Sequence, residues 1–186
     1  MKRMLDVCCA LIGLGLFLIP GVLIALCIKA TSAGPVIYWS KRVGKNNQLF
    51  DMPKFRSMRT GAPAVATHLL TDAKSHLTPI GGFLRKSSLD ELPQLWSVLV
   101  GHMSLVGPRP ALFNQTDLIE LRTLVGVHRL APGITGWAQI NGRDELPIPD
   151  KVRYDEQYLQ RMSFVFDLYI LARTFLKVVS RSGVSH

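Results

Sequence analysis

"MLDVCCALIGLGLFLIPGVLIALCI", residues 4 to 28, holds a single charged side chain, Asp6, in a run otherwise dominated by Leu, Ile, Val, Ala, Gly and Cys. At roughly 1.5 Å per residue, a helix of this length reaches the ~30 Å of bilayer hydrocarbon, so the stretch reads as a membrane segment. A cleaved signal peptide fits less well, because the apolar run is too long and no clear small-residue cleavage site precedes a polar mature chain. Pro20 lies inside the run and lacks a backbone donor, which predicts a kink or break between Leu16 and Pro20. Lys2 and Arg3 precede the run, and Lys29, Lys41, Arg42 and Lys45 follow it, so the cytoplasmic bias of basic residues puts both ends on one side. A re-entrant hairpin satisfies both features; a kinked single-pass helix is the alternative. Cys8, Cys9 and Cys27 all fall here and read as small apolar residues. Their odd number and the lack of a CxxC pair fit a reducing compartment for the rest of the chain.

The whole chain of 186 residues has room for one domain beside this segment, 1–30 as anchor and 31–186 as a domain facing the cytoplasm. Lys and Arg number 22 against 13 Asp and Glu, a formal charge of +9, which favours phosphates, nucleic acid or an acidic membrane face without choosing among them. Residues 34–60 read as a strand at Val36 to Trp39, a turn near Gly44 to Asn47 and a second extended piece. The basic side chains Lys41, Arg42, Lys45, Lys54, Arg56 and Arg59 gather there, a pattern of a solvated face from which one or two reach a phosphate or lipid headgroup. Gly61 to Leu77 reads as a mobile loop or loose helix, 111–130 as helical and 131–143 as a structured loop. From Asp150 the pattern is helical and becomes strongly apolar at Phe164, with Arg173, Lys177 and Arg181 late in the run. That suits a helix lying on a membrane surface, with a core helix as the ordinary alternative. The class expected is α/β: a small, mainly helical domain with a short β-hairpin.

"SLDELPQLWSVL", residues 88 to 99, pairs Asp90 with Glu91 ahead of an apolar helix. With Ser88 as N-cap, Glu91 would complete a capping box, but Pro93 would then fall where a helical N–H is needed. Asp90 as the cap puts Pro93 inside the first turn, where it is tolerated. There the helix dipole would keep the carboxylate ionised and draw in phosphate. An ionised Asp beside a Glu that holds a hard divalent cation is a candidate nucleophile toward phosphorus. Arg109 stands between two prolines, a stiff setting for a guanidinium that forks onto phosphate. Arg85 and Arg143 lie near the pair and in the glycine-rich loop.

Taken together, "KFRSM" (54–58), "SLDELPQL" (88–95), "MSLVGPRP" (103–110), "PGITGWAQINGR" (132–143) and the closing "SRSGVSH" resemble the bacterial sugar transferase family, in the same order over essentially the whole chain. They resemble most its small monotopic phosphoglycosyl transferases, which carry no larger N-terminal module. The resemblance implies transfer of a sugar 1-phosphate from a UDP-sugar to undecaprenyl phosphate with release of UMP. It implies Asp90 as nucleophile through a covalent phosphosugar intermediate, and Glu91 as a Mg²⁺ ligand. It further points to Lys54, Arg85 and Arg109 around the phosphates, to Arg143, Gly133 and Gln139 near the nucleotide-sugar, and to Asp155 near the metal. The implied anchor is a re-entrant helix broken at Pro20, seated in the bacterial inner membrane among its lipids. The tail "RSGVSH" suggests an N-acetylated deoxy sugar. The pathway and the oligomeric state stay open, a homo-oligomer among the options.

Two positions depart from the family pattern: Ile19 where Ser commonly precedes the breaking proline, and His102 where an acid commonly stands. Two other readings remain. A non-catalytic, membrane-associated binding protein would use the basic face, although no nucleic-acid motif supports a nucleic-acid partner. Direct single-step transfer would use Asp90 as a base.

Overall fold

The computed structural model describes residues 1–63, 75–142 and 146–179. The apolar run forms two helices, α1 (Lys2–Leu16) and α2 (Leu18–Thr31), which meet at Phe17 with a bend of 59°. Among the described residues no single helix is long and apolar enough to cross a membrane, whereas this bent pair has the length and composition together. Pro20 is the third residue of α2. In a first turn the amide has no intrahelical acceptor to lose, so the proline starts the second helix and the break falls just ahead of it. The Phe17 carbonyl still accepts the Gly21 N–H at 2.8 Å.

The pair lies against the rest of the molecule along one face. Ala10 of α1 enters a cluster with Met52, Val98 and Met103, and Ile28 of α2 packs with Phe55 and Leu84. Gly13 permits close approach, since a Cβ there would stand 2.9 Å from the Leu95 side chain. The other face leaves Leu11, Ile12, Leu16, Leu18, Ile19, Val22, Leu23 and Leu26 exposed.

Strands β1 (Ile37–Val43) and β2 (Leu49–Phe55) pair antiparallel, with Ser40 opposite Met52 and Tyr38 opposite Lys54. Asn46 and Asn47 take positive φ in the connection, a conformation asparagine tolerates better than most residues, and this is the hairpin turn expected near Gly44 to Asn47. Two short helices follow, α3 (Gly81–Lys86) and α4 (Gln94–Val100), joined by a 3-10 turn at Leu89–Glu91. Most of the segment expected as a mobile loop, 64–74, lies outside the described residues.

The stretch 131–143, expected as a structured loop, contains regular structure. Gly133–Thr135 is strand β4, which pairs parallel with β3 (Ser104–Val106), and Trp137–Ile140 is helix α6. The helical expectation for 111–130 reduces to α5 (Thr116–Leu124) and a 3-10 turn at Val127–Arg129. The pattern from Asp150 onward resolves into α7 (Ile148–Arg161) and α8 (Phe164–Val179), separated where the Ser163 hydroxyl accepts the Phe166 N–H at 3.2 Å. Phe166 and Ile170 of α8 join Val106, Ile140 and Tyr158 in the core, while Val165, Leu168, Phe175, Leu176 and Val178 are exposed. The described residues thus form an α/β domain, mainly helical with two short two-stranded sheets.

Candidate active site

The turn at Leu89–Glu91 is entered through Ser88 at φ 56°, a left-handed conformation that a non-glycine residue adopts at some cost. Neither capping scheme read from the sequence is realised. The Ser88 side chain makes no cap hydrogen bond, and α4 starts at Gln94 behind Pro93, so Asp90 stands in the turn before the helix. Asp90 is buried, at 8% exposure. Burial pushes its carboxyl up to about 6; Lys54 and Arg85 pull it down, and Glu91 beside it pushes it up. The expectation that a helix mouth would hold Asp90 firmly ionised is therefore corrected: desolvation outweighs the nearby cations.

Its neighbour behaves in the opposite way. Burial also disfavours the Glu91 carboxylate, but Lys54 and Arg109 outweigh it and hold the group well below the usual carboxylate range. The Lys54 ammonium donates to Glu91 Oε1 at 2.7 Å, and Arg109 Nη2 lies 3.6 Å from the same oxygen. Two adjacent carboxyls thus differ in kind: Glu91 is held firmly as an anion, and Asp90 titrates near 6.

Arg109 sits on a segment whose backbone is held residue by residue. The N–H groups of Ser104, Leu105 and Gly107 donate to the Pro132 carbonyl, the Asp6 carboxylate and the Thr135 carbonyl. The carbonyls of Val106, Pro108, Arg109, Pro110 and Ala111 accept from the Lys2 ammonium, the Gly133 N–H, the Arg122 guanidinium, the Arg42 guanidinium and the Val43 N–H. Pro108 and Pro110 have no N–H to satisfy, so the segment is pinned largely through its carbonyls. Gly133 is required sterically: a Cβ there would strike the Gly107 amide and the Thr135 carbonyl.

These elements form a small open cleft lined by Arg42, Met52, Lys54, Glu91, Gln94, Arg109, Pro110 and Gly133. Of the residues expected at the site, Lys54, Glu91, Arg109 and Gly133 line it together. Asp90 adjoins it from the same turn, and the half-buried Arg85 acts on Asp90 through its charge. Gln139 is buried beside Gly136, with neither amide atom hydrogen-bonded, and is not part of the lining. Arg143 lies outside the described residues. The six basic residues of 41–59 do not form one solvated face. Lys54 and Arg42 turn to the cleft, Arg56 is buried and donates to Ser32 at the end of α2, and Lys41 stands 4.0 Å from Asp51 at the surface.

Asp155, placed near the metal by resemblance, is engaged elsewhere. It is 1% exposed and accepts from Arg122 Nε at 2.9 Å and Nη2 at 2.6 Å, and the same guanidinium grips the Arg109 carbonyl at 2.8 Å. Its burial pushes the carboxyl up against the pull of Arg122. Asp155 thus orients Arg122, and Arg122 supports Arg109. Among the described residues no group of three or more His, Cys, Asp or Glu forms a metal cage. A Mg²⁺ held through one or two carboxylates and substrate phosphates needs no such cage, and the permanently ionised Glu91 beside Asp90 fits that pattern. Sequence reasoning missed Arg122, Tyr158, Asp167, Lys2 and Asp6. Only Asp6 carried a signal, as the lone charge in an apolar run.

A cationic cleft with one firmly ionised carboxylate and, beside it, a buried carboxyl raised to about 6 suits a phosphorylated ligand. The bacterial sugar transferase family profile matches residues 1–181. The chain is 40% identical over 166 residues to the UDP-glucose:undecaprenyl-phosphate glucose-1-phosphate transferase of Xanthomonas campestris pv. campestris, covering 85% of this chain and 34% of that protein. It is 41% identical over 188 residues to the protein of the same name from Escherichia coli (strain K12), covering 95% of this chain and 40% of that one. With the exopolysaccharide production protein ExoY of Rhizobium meliloti (strain 1021) it shares 35% identity over 198 residues, 98% of this chain and 87% of the relative. The chain thus spans 34% to 40% of the length of the first two relatives.

Proposed function

The chain belongs to the bacterial sugar transferase family, and from that premise we propose that it transfers a sugar 1-phosphate from a UDP-sugar to undecaprenyl phosphate. The observation that carries the reading is the pairing of a buried carboxyl at about 6 with a cleft where Lys54 and Arg109 converge on Glu91. At pH 7 a carboxyl titrating near 6 is ionised about ten to one, and being desolvated it is a stronger nucleophile than an exposed carboxylate.

In the first step an Asp90 oxygen bonds to the sugar-bearing phosphorus, and the bond from that phosphorus to the bridging oxygen breaks. UMP leaves with the bonding pair, and an aspartyl phosphosugar remains. In the second step an oxygen of undecaprenyl phosphate attacks the same phosphorus and frees the Asp90 carboxylate. No proton transfer is required in either step. Lys54 and Arg109 offset the charge that gathers on the phosphate oxygens, and the pinned 104–111 segment holds Arg109 ready before the donor arrives. Mg²⁺ would be held by Glu91 with donor phosphate oxygens, and would supply further charge compensation there.

The bent α1–α2 pair is read as a re-entrant anchor of a domain facing the cytoplasm at the inner membrane. It is supported by the eight large apolar side chains left bare on its outer face, whose transfer to lipid is worth on the order of 10 kcal/mol. The exposed apolar face of α8 suits the same surface. The sugar is read as an N-acetylated deoxy sugar from the tail, 180–186, which lies outside the described residues.

The test is UMP release from a panel of UDP-sugars by membranes carrying the chain, with mass spectrometry of protein mixed with donor alone. Wild type is expected to show a sugar-phosphate adduct on Asp90, and Asp90→Asn neither adduct nor turnover. A second reading, direct transfer with Asp90 as general base, draws on the same raised pKa. It predicts turnover that needs both substrates at once, and no adduct.

A further inference from the structure

The first turns of α1 touch the catalytic domain more closely than an anchor requires. The Lys2 ammonium donates to the Val106 carbonyl at 2.9 Å, to the Tyr158 hydroxyl at 3.2 Å and to Asp167 Oδ2 at 2.7 Å. The Tyr158 hydroxyl in turn donates to Asp167 Oδ1 at 2.6 Å. One turn on, Asp6 accepts from the Ser104 hydroxyl at 3.1 Å and from the Leu105 N–H at 2.9 Å. Arg3, between them, donates to the Val98 and Leu99 carbonyls at the end of α4. Asp6, Tyr158 and Asp167 are all nearly inaccessible to solvent.

Lys2 and Asp6 are four residues apart and share one helix face with Ala10. Their partners are consecutive residues of one strand, Ser104, Leu105 and Val106, which runs directly into Gly107-Pro108-Arg109. Burying an aspartate and partly burying a lysine is costly unless geometry and hydrogen bonding return the loss. A plain anchor would do without them, since apolar residues would seat α1 as well. What the charged contacts add is a fixed register of α1 on β3.

We propose that Lys2 and Asp6 are positioning residues for Arg109: they clamp β3 from the helix side, as Arg122 and Asp155 hold the Arg109 carbonyl from the other. The inference rests on the reading of Arg109 as a phosphate ligand. It makes the lower end of the apolar segment part of the donor site. Freed of Lys2, the Val106 carbonyl keeps one weaker donor, the Tyr158 hydroxyl at 3.3 Å, which already serves Asp167. Arg109 would then sample positions that no longer fork onto phosphate.

The test is a double-mutant cycle read by calorimetric binding of UDP to the full chain in detergent micelles, with Lys2→Met, Lys2→Arg, Tyr158→Phe, Arg109→Gln and the Lys2→Met/Arg109→Gln pair. Arg109→Gln is expected to weaken UDP about 30-fold and Lys2→Met about fivefold. The double variant should match Arg109→Gln within about twofold, because the two act through one contact. Lys2→Arg should recover most of the loss. Tyr158→Phe, which keeps the ring, should weaken UDP in the same direction, and it decides the matter if Lys2→Met does not fold. Additive losses, or Lys2→Met and Tyr158→Phe binding like wild type while Arg109→Gln binds poorly, would overturn the clamp alone. UDP binding indifferent to Arg109→Gln would overturn the phosphate reading of Arg109, and the clamp with it.

Discussion

Between Ser88 and Glu91 the chain enters a 3-10 turn through a left-handed serine and buries a carboxyl that desolvation pushes up to about 6. Between Ser104 and Ala111, by contrast, each residue has a backbone group held by a hydrogen bond, and Arg122 and Asp155 brace the centre from behind. Both stretches face one cleft. The first stores unfavourable free energy in the buried Asp90 carboxylate, proposed as the reacting group, and the second uses hydrogen bonds to hold Arg109 still. Under the proposed two-step transfer this division has a use: a rigid wall would localise the phosphate, and a destabilised carboxylate would gain from leaving its buried charged state.

Substitutions that move one wall without the other sharpen the comparison. The largest effect is expected for Asp90→Asn: turnover falls at least ~1,000-fold, while stability rises because a buried charge becomes a neutral amide. Thermal melting beside the UMP assay checks both, and a variant that is inactive and also less stable would break the comparison. On the rigid wall, Arg122→Met leaves Asp155 buried and unpaired and is expected to cost about 3–5 kcal/mol in urea unfolding. Asp155→Asn should cost less, since the amide oxygen can still accept from the Arg122 guanidinium, although that buried cation loses its carboxylate. Gly133→Ala forces β3 and β4 apart and is expected to cost about 2–3 kcal/mol, with a rise in KM for the donor as Arg109 shifts.

The pH profile tests the strained wall without mutation. The folded-state pKa of Asp90 is raised above its unfolded value of 3.8, so the folded state binds the proton more tightly. Its contribution to stability is therefore present below about 4 and is lost as pH rises through about 6, a span worth about 3 kcal/mol. Activity runs the other way, with an acid limb near pH 6 below which the rate falls about tenfold per unit; Glu91, held far lower, does not set that limb. The smallest effect is expected from Ser88→Gly, which removes the left-handed penalty and adds about 0.5 kcal/mol of stability with the site intact.

Much of the architecture was legible in residue order. The turn at Gly44–Asn47, the break beside Pro20, the mainly helical α/β class and the clustering of Lys54, Glu91 and Arg109 follow from local chemistry and motif resemblance. The misreadings have physical causes. The capping schemes for Ser88 and Asp90 assumed a helix starting at once, whereas the chain inserts a 3-10 turn that puts the helix start at Gln94. Gly133 and Gly136 read as loop punctuation because glycines that permit two strands to touch look, in sequence, like glycines that turn. Asp155 was expected near the metal from the family resemblance alone; in the fold its carboxylate meets the Arg122 guanidinium, a partner that no local pattern marks.

What the residue sequence determined alone is what depends on near neighbours: helix against strand, the break, the charge balance and the adjacency of Asp90 to Glu91. Only the tertiary structure decided that this adjacent pair would diverge, one carboxyl raised by burial and the other held down by Lys54 from β2 and Arg109 from beyond β3. It also decided that Lys2 and Asp6, at the start of the apolar segment, would reach the strand that leads into Arg109. Burial and Coulomb interactions act through space, and the partners of Glu91, Lys2 and Asp6 lie from 18 to 165 residues away along the chain, where no local pattern records them.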